Sequence, residues 1–296
     1  MARASFRGST AIVTGGASGI GRAIGAELHR HGAHVVLADI DGAGADIAAR
    51  DIAAEGTAED TSGGSITARR LDVCDPDAVD DVVAAVAERH GRIDLLFNNA
   101  GISMGGPTED LRPEQWRRIV DVNLLGVANG VAAAYPRMIA QGRGHIVNTA
   151  SAAGLVSTVF TVAYSATKHA VVGLSTALRP EAAAHGVRVS VLCPGAVDTP
   201  ILDRDGPDDV PDRVSALTPR QYLAEIGLSP GPPDALARKA LRGVARNRAI
   251  IAPGVVRGLW VLYRISPAAA ERVNRSNARK VRRRLDTAAT DDAPSA

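Results

Sequence analysis

Cysteine, aromatic residues and long hydrophobic runs are scarce in this chain, and each scarcity excludes a class of protein. Only two cysteines, Cys74 and Cys193, occur among 296 residues, and they lie in no metal-ligand spacing. A disulfide scaffold is therefore excluded, no metal site is expected, and a reducing compartment is compatible with the sequence. No apolar run reaches the roughly 18 residues of a membrane-spanning helix, and the N-terminus lacks a secretory signal pattern. We expect a soluble, cytoplasmic protein.

Aromatic residues make up 3% of the chain although 46% of it is apolar. Alanine and valine must therefore fill most of the core, which suits close packing of helices on a sheet. Short apolar runs such as "TAIVTGG" (10–16) and "GHIVNTAS" (144–151) alternate with amphipathic segments long enough for helices. This alternation predicts an α/β domain with a mostly parallel sheet covered on both faces. The glycine content of residues 55–65 predicts a surface loop there.

The glycine-rich stretch "TGGASGIG" (14–21) follows the first apolar run and opens the first predicted helix. Glycine is also common in ordinary turns, but a strand–glycine loop–helix lets a pyrophosphate approach the backbone at a helix N-terminus. Eighteen residues past Gly21, the second apolar run ends in Asp39, which is placed to accept hydrogen bonds from an adenosine ribose. Asp41 is the second choice. No Lys or Arg occupies positions 16–18, so the pattern favours NAD over NADP.

The stretch "YSATK" (164–168) presents Tyr164 and Lys168 four residues apart, on one face of a predicted helix. Two interpretations fit this spacing. The pair is either an exposed surface contact of a few tenths of a kcal/mol or a device for proton transfer. The spacing alone leaves both open.

Seven motifs together make the sequence resemble the short-chain dehydrogenase/reductase family from about residue 8 to 254. They occur in family order and with family-like separations. The motifs are "TGGASGIG" (14–21), "LDV" (71–73), "NNAG" (98–101), "VNLLG" (122–126), "NTAS" (148–151), "YSATK" (164–168) and "PGAVDT" (194–199).

The resemblance implies a role for each motif. Asp72 and Val73 would hold the adenine, residues 98–101 would line the ribose and stabilise the sheet, and Asn123 resembles the family's helix-kink asparagine. Ser151 lies 13 residues before Tyr164, as the family's catalytic serine does. The implied catalytic set is Asn123, Ser151, Tyr164 and Lys168. The implied cofactor-binding set is Gly15, Ser18, Gly19, Ile20, Gly21, Asp39, Asp72, Val73, Asn98, Ala100, Gly101, Tyr164, Lys168, Pro194, Gly195, Val197 and Thr199.

In that setting Tyr164–Lys168 is interpreted as a proton-transfer pair. Tyrosine titrates near pH 10, so a neighbouring ammonium should lower the pKa of Tyr164 and favour the phenolate. Tyr164 would exchange a proton with the substrate oxygen, Ser151 would donate a hydrogen bond to it, and Lys168 would also bind the nicotinamide ribose.

Residues 200–232 fall where the family has its variable substrate-binding segment, and we predict a mobile lid there. None of the candidate pocket residues offers an anchor for a carboxylate or phosphate, which favours a lipophilic secondary alcohol or ketone of steroid, terpenoid or long-chain type. The candidates are Ile201, Leu202, Val214, Leu217, Tyr222, Leu223 and Ile226 in the lid, with Ser103, Met104, Ala152, Ala153 and Phe160 elsewhere.

Beyond residue 254 an apolar cluster precedes a basic stretch, and residues 255–284 hold nine Lys/Arg against one acid, Glu271. This C-terminal extension (255–296) either packs over the substrate entrance or a subunit partner, lies peripherally on an anionic membrane, or binds nucleic acid. Nucleic acid is not the expected partner, because basic charge without a recognition fold is poor evidence. Residues 287–296 are expected to be a disordered end.

The sequence thus predicts a Rossmann-like, doubly wound catalytic domain of about seven parallel strands over residues 1–254, followed by the extension. The predicted activity is NAD-dependent interconversion of a secondary alcohol and a ketone. An NADP-dependent carbonyl or 3-oxoacyl-type reductase and a non-catalytic nucleotide-binding sensor are the alternatives. The family habit suggests a homodimer or homotetramer built through helices near 113–140 and 163–185.

Overall fold

The computed structural model describes residues 6–55, 63–204 and 217–291, with side chains described as far as residue 287. Seven parallel strands form one sheet in the order β3-β2-β1-β4-β5-β6-β7. This confirms the predicted doubly wound fold. The strands are β1 Thr10–Thr14, β2 His34–Asp39, β3 Ser65–Arg70, β4 Leu95–Asn98, β5 Gly144–Thr149, β6 Val187–Leu192 and β7 Ile250–Ile251.

Ten α-helices accompany the sheet in the described residues. They are α1 Gly19–Arg30, α2 Gly42–Glu55, α3 Pro76–His90, α4 Pro113–Val120, α5 Gly126–Ala140, α6 Val162–Ala183, α7 Pro219–Glu225, α8 Pro233–Ala245, α9 Gly254–Ile265 and α10 Pro267–Asp291. A π-turn over Asp121–Leu125 joins α4 to α5, and short 3-10 turns lie at Thr108–Asp110, Ala152–Gly154 and Pro200–Leu202.

Two apolar layers cover the sheet, because its strands carry buried side chains on both faces. On one face α1, α2 and α8 pack through small and branched residues such as Ile24, Leu28 and Leu241. On the other face α3, α5 and α6 pack through residues such as Val83 and Met138. Because all seven strands are parallel, their carboxyl ends lie at one edge of the sheet, and ligands of such sheets bind at that edge.

The helix over Pro113–Ala140 differs from expectation in one respect. By length and composition it could span a membrane, although the sequence predicted no such run. Its most apolar window is 44% buried, and α5 packs against α3, β4 and β5. This burial is typical of the core helix of an α/β domain, so the apolar character reflects packing against the sheet.

Part of the predicted lid and loop falls outside the described residues. Residues 205–216, which include Val214, and residues 56–62 are not described. The C-terminal extension forms the two helices α9 and α10, which pack against each other. Helix α10 continues to Asp291, where the sequence predicted a disordered end from residue 287, and residues 292–296 lie outside the described part of the chain.

Candidate active site

The glycine loop between β1 and α1 is held in a conformation that only glycine tolerates. Gly15 and Gly19 have φ values of 66° and 54°, in the left-handed region. A Cβ on Gly21 would overlap the carbonyl oxygen of Gly15, and one on Gly15 would lie 2.9 Å from the Cα of Ala100. Ser18 precedes α1 in extended conformation, and its hydroxyl makes no capping bond to the helix. The result is a backbone cradle at a helix N-terminus, which fits a pyrophosphate.

Asp39 ends β2 beside this cradle. Its Oδ2 accepts a hydrogen bond from the Ala17 backbone N–H at 3.0 Å, and its Oδ1 accepts one from the Asp41 N–H at 3.0 Å. Asp41 instead accepts a hydrogen bond from the Gly44 N–H at 2.9 Å, at the start of α2. Asp39 therefore contacts the glycine loop directly through Ala17, whereas Asp41 contacts the start of α2, and the ranking of the two as ribose ligands stays a prediction.

Sequence reasoning missed Arg70. Strand β3 pairs with β2 so that Arg70 lies in register with Asp39. The Cβ of Arg70 also lies 2.9 Å from where a Cβ on Gly42 would stand, at the beginning of α2. A cation at this strand end bears on the choice between a free ribose and a 2′-phosphate. The available signal was the pair "RR" (69–70) just before "LDV", at the end of a strand neighbouring β2.

Asp72 and Val73 lie just past the end of β3. Asp72 Oδ1 accepts a hydrogen bond from the Cys74 N–H at 2.9 Å, which shapes the turn into α3. Val73 is 8% exposed, and its carbonyl accepts a hydrogen bond from Asn129 Nδ2 at 2.9 Å. The backbone of this segment is thus fixed at the carboxyl edge of the sheet, where an adenine ring is predicted.

Residues 98–101 divide into a buried and a partly exposed half. Asn98 is 2% exposed and donates to the side-chain oxygen of Asn148 at 2.9 Å, so its side chain ties β4 to β5. This is the second of the two roles expected for the segment. The Ala100 N–H donates to Thr14 Oγ1 at 3.0 Å, and Ala100 and Gly101 follow at the strand end. They lie beside the glycine loop.

Asn123 sits in the π-turn between α4 and α5 and is fully buried. Its Oδ1 accepts from the Ile102 N–H at 2.9 Å, and its Nδ2 donates to the Ile102 carbonyl at 3.0 Å. A π-turn adds one residue and frees backbone groups from the regular ladder, and such turns are frequent at functional sites. The predicted helix kink at Asn123 is therefore present as this turn.

Ser151, Tyr164 and Lys168 come together where β5 ends and α6 begins. Ser151 Oγ accepts a hydrogen bond from the Ala153 N–H at 3.1 Å and interacts with the Tyr164 phenol. Lys168 is 3% exposed, its Nζ donates to the Thr149 carbonyl at 3.1 Å, and it lies 5.6 Å from the centre of the Tyr164 ring. Burial of the lysine disfavours the surface-pair interpretation, since a surface pair needs no desolvated ammonium.

The electrostatics of this cluster correct one expectation. Burial raises the pKa of Tyr164, and the hydrogen bond with Ser151 opposes the rise only in part. Although Tyr164 retains some solvent contact, dense packing around the phenol governs the direction. The sequence predicted a lowered pKa, and the direction is the opposite for the protein alone because desolvation of the phenol is the largest effect. Burial also lowers the pKa of Lys168, to about 8, so the amine remains mostly protonated at neutral pH.

Cys193 lies beside the same cluster without chemical activation. It is fully buried, and burial raises the pKa of its thiol to about 12. A thiol with this pKa stays protonated at neutral pH and acts as a small apolar side chain.

The segment 194–199 closes the other side of the cradle. The Pro194 carbonyl accepts a hydrogen bond from the Ala152 N–H at 2.6 Å. Val197 and Gly231 form an isolated parallel β-bridge. The Thr199 methyl lies 2.9 Å from where a Cβ on Gly19 would stand. Gly195 faces Val256 of α9. The two predicted cofactor segments, the glycine loop and "PGAVDT", are therefore in contact.

A small cavity of about 50 Å³ lies in front of α6. Of the predicted pocket residues, Ser103, Phe160, Leu217 and Tyr222 line it, whereas Ile226 packs just behind in the same apolar cluster. The predictions missed Arg204, Val281 and Leu285, which also line it. The remaining candidates do not reach this cavity; they are Ile201, Leu202, Leu223, Met104, Ala152 and Ala153.

Comparison with known proteins gives this chain clear relatives. Its residues 9–209 match the family model of the short chain dehydrogenases. D-beta-hydroxybutyrate dehydrogenase of Rhizobium meliloti (strain 1021) is 39% identical over 223 residues, covering 75% of this chain and 84% of that protein. 1-deoxy-11-beta-hydroxypentalenate dehydrogenase of Streptomyces exfoliatus is 38% identical over 195 residues, covering 65% of this chain and 68% of its own. A short chain dehydrogenase/reductase from Burkholderia phymatum, solved in complex with NAD, superposes with a TM-score of 0.76 at 31% identity and covers 88% of this chain and 95% of its own.

Proposed function

Because this chain belongs to the short-chain dehydrogenase family and is an oxidoreductase acting on CH–OH groups, we propose that it interconverts a lipophilic secondary alcohol and its ketone with NAD. The observation that carries the proposal is the convergence of Ser151, Tyr164 and the buried Lys168 at the carboxyl edge of the sheet. A glycine cradle that no Cβ could enter lies at the same edge, so the residues present fit a dinucleotide.

Tyr164 is the proposed acid–base group. A dinucleotide held by the glycine cradle would supply the hydride acceptor for the alcohol carbon. Tyr164 takes the proton from the alcohol oxygen, and Ser151 donates a hydrogen bond to that oxygen as charge develops on it. Since burial raises the pKa of Tyr164, the phenolate depends on positive charge nearby, which the protonated Lys168 supplies. Positioned acid–base help of this kind is worth about 10²–10⁴-fold in rate.

NAD, rather than NADP, is the proposed cofactor because the Asp39 carboxylate is anchored at the glycine loop, where its Oδ2 accepts a hydrogen bond from the Ala17 N–H and its Oδ1 accepts one from the Asp41 N–H. A fixed carboxylate accepts hydrogen bonds from a ribose diol and repels a 2′-phosphate. Arg70 in the neighbouring strand is the feature that would favour the NADP-dependent alternative.

The lipophilic character of the substrate is supported by the cavity wall. Phe160, Leu217 and Tyr222 line the cavity, and Val281 and Leu285 face it from α10. Among the described residues, Arg204 is the one cation that lines the cavity, and it is exposed. Such a wall stabilises an apolar group by desolvation and offers little to a carboxylate.

The test combines a substrate panel with two tyrosine variants. Wild type, Tyr164→Phe and Tyr135→Phe are assayed with NAD and NADP on secondary alcohols of steroid, terpenoid and long-chain type. We expect NAD-dependent turnover in the wild type and in Tyr135→Phe. Tyr135 is the control because it lies in α5, where its ring contacts His185. Tyr164→Phe should bind NADH normally and lose at least 100-fold in kcat. Undiminished kcat in Tyr164→Phe would contradict the mechanism, and preference for NADP would contradict the cofactor assignment.

Two features support assembly and membrane contact as further parts of this proposal. Leu125 of the π-turn and Val162 of α6 are 47% and 42% exposed, on the two helical segments expected to build a homodimer or homotetramer. Helix α9 exposes Val255, Leu259, Leu262 and Ile265, next to a strongly basic α10. An apolar helix face beside clustered cations suits peripheral contact of a cytoplasmic protein with an anionic bilayer.

Each of these features has its own measurement. Light scattering after size exclusion should give a mass of two or four chains, and Leu125→Asp should reduce it. Vesicles containing phosphatidylserine should float the wild type but not Leu259→Ser/Leu262→Ser, whereas phosphatidylcholine vesicles should float neither. A monomeric wild type, or equal flotation of both proteins, would contradict the respective part.

A further inference from the structure

Helix α10 turns one apolar face toward the substrate cavity. Val281 and Leu285 lie four residues apart, hence one turn apart on the same face, and are only 1% and 8% exposed. They pack with Leu217, Phe160 and Tyr222, and both line the cavity. The other positions of this stretch of α10 are mostly charged and exposed. The two apolar residues are thus the part of the C-terminal extension that reaches the site.

Polar contacts fix α10 to three separate segments around the cavity. Arg282 Nη2 donates to Glu109 Oε1 at 2.7 Å, and its guanidinium lies 5.5 Å from the centre of the Phe160 ring. Arg284 pairs with Glu225 of α7 at 3.6 Å. Asn274 Nδ2 donates to the Ser157 carbonyl at 3.1 Å. Helix α10 is therefore held across the cavity from the loop before α4, from the loop before α6 and from α7.

The cavity that α10 covers adjoins the N-terminus of α6, the helix that carries Tyr164. Phe160 and Thr161 line it and are the last residues before α6, and Tyr164 follows within the first helical turn. Ser103 lines the opposite side and follows Ile102, whose backbone is bonded to Asn123. An alcohol that reaches Tyr164 with an apolar chain attached would therefore direct that chain toward α10.

We propose that Val281 and Leu285 are specificity-determining residues, which set how long or bulky an apolar group the substrate carries. The inference rests on the proposed function and deepens it, because it names a segment outside the matched residues 9–209 as part of the substrate site. Aliphatic secondary alcohols and their ketones are the class of ligand that fits, since the wall is apolar. Because both side chains form part of the cavity wall, their size affects how large an apolar group the cavity accepts.

The expected effects follow from the burial of methylene groups. Each methylene of substrate buried against the wall contributes about fourfold to kcat/KM. Leu285→Ala and Val281→Ala enlarge the cavity, so the preferred chain becomes longer. Val281→Phe fills it, so the preferred chain becomes shorter. Val273→Ala, on the same helix but 56% exposed, is the matched control.

The experiment measures kcat/KM for 2-alkanols from butanol to dodecanol, with the full-length protein and NAD. We expect the optimum chain length to rise by at least two carbons in Leu285→Ala, to fall in Val281→Phe and to stay unchanged in Val273→Ala. NADH affinity should remain within twofold throughout. A uniform fall in kcat/KM with an unchanged optimum would overturn the inference, because a merely structural role of α10 predicts that result.

A second readout separates this inference from the proposed function. Binding of the matching 2-alkanones to the protein–NADH complex is followed by NADH fluorescence. If wild type oxidises no alkanol yet alkanone affinity still shifts with Val281 and Leu285, the proposed reaction fails and the inference stands. If wild type turns over and neither readout shifts in Leu285→Ala and Val281→Phe, the inference fails alone.

Discussion

The nucleotide side and the substrate side of this molecule are built by different means. On the nucleotide side, backbone segments approach so closely at Gly15 and Gly21 that a Cβ on either glycine would clash with backbone atoms. Thr14 Oγ1 fixes this arrangement by accepting a hydrogen bond from the Ala100 N–H. On the substrate side, the wall comes from side chains of four segments that are far apart in sequence, around Ser103, Phe160, Tyr222 and Val281. The first arrangement depends on local backbone geometry and the second on long-range packing.

The difference bears on how each side responds to change. A backbone cradle has one working geometry, because an added methyl group there meets backbone atoms that cannot rotate away. A side-chain wall can be enlarged or reduced in steps, since each methylene contributes separately. Substitutions of the glycines on the nucleotide side should therefore abolish binding, whereas those in the cavity wall should shift preference gradually.

The largest expected effect is that of Gly21→Ala. Its Cβ would overlap the Gly15 carbonyl and also lie 2.7 Å from Asn99 Nδ2, so the loop must move. We expect NADH affinity to fall at least 100-fold in a fluorescence titration. Gly173→Ala in α6 is the control, because nothing lies within 4 Å of its Cβ position. It should bind NADH normally and gain about 0.5–1 kcal/mol in stability. Normal NADH binding by Gly21→Ala would remove the basis of the comparison.

The second effect is a loss of folding stability at low pH, and it arises in the sheet that carries both the nucleotide side and the substrate side. His145 of β5 is 4% exposed, and its Nε2 is hydrogen-bonded to Ser190 Oγ at 2.8 Å. Burial is the largest cause that lowers the pKa of His145 to about 3, and the positive charges of Arg188 and Arg179 lower it further. The folded protein thus binds fewer protons than the unfolded chain between pH 6.5 and about 3. Stability from this group is present above pH 6.5 and is lost as pH falls through that window, by on the order of 5 kcal/mol.

Urea unfolding of wild type and His145→Asn at pH 7 and pH 4 measures this contribution. The variant should be less stable at pH 7 and lose less stability on acidification, because asparagine carries no titrating group. An equal loss in both proteins would show that His145 is not the acid-sensitive group of the sheet.

A smaller effect is expected for Asp39→Ala on the nucleotide side. Loss of the carboxylate should weaken NADH about 10- to 100-fold and raise the preference for NADPH, because Arg70 remains in register beside the site. Asp41→Ala is the matched control. It removes the hydrogen bond to the Gly44 N–H and should cost about 1 kcal/mol of stability without changing cofactor preference. If Asp41→Ala changes the preference instead, the ribose ligand is the second aspartate.

The smallest effect is that of Arg282→Met on the substrate side. The Arg282–Glu109 contact is exposed, so the melting temperature should hardly change. Local opening of α10 should respond more strongly than the melting temperature to loss of this contact. We therefore expect faster amide exchange in α10, with NADH affinity unaffected. Arg283→Met, exposed on the same helix, should leave exchange as in wild type. Exchange in α10 that is insensitive to Arg282 would mean that the apolar face alone holds the helix.

Much of the candidate site could be predicted because its residues lie in short motifs whose spacing carries the geometry. Tyr164 and Lys168 share a helical face in any α-helix, and Asp39 ends a strand that the apolar pattern marks. The pKa of Tyr164 was predicted in the wrong direction, since desolvation depends on atoms brought in from distant segments. Arg70 was missed because its neighbour across the sheet, Asp39, is set by strand register and not by sequence distance.

The sequence by itself determined the alternation of strands and helices and the position of the glycine cradle, because hydrophobic periodicity and glycine conformation act over a few residues. Only the tertiary structure decided which side chains line the cavity. Val281 and Leu285 read in the sequence as two apolar residues within a basic helix, and they became a cavity wall when α10 packed across α7 and the loops before α4 and α6. Contacts between residues more than one hundred positions apart depend on how whole elements pack, and no local pattern records them.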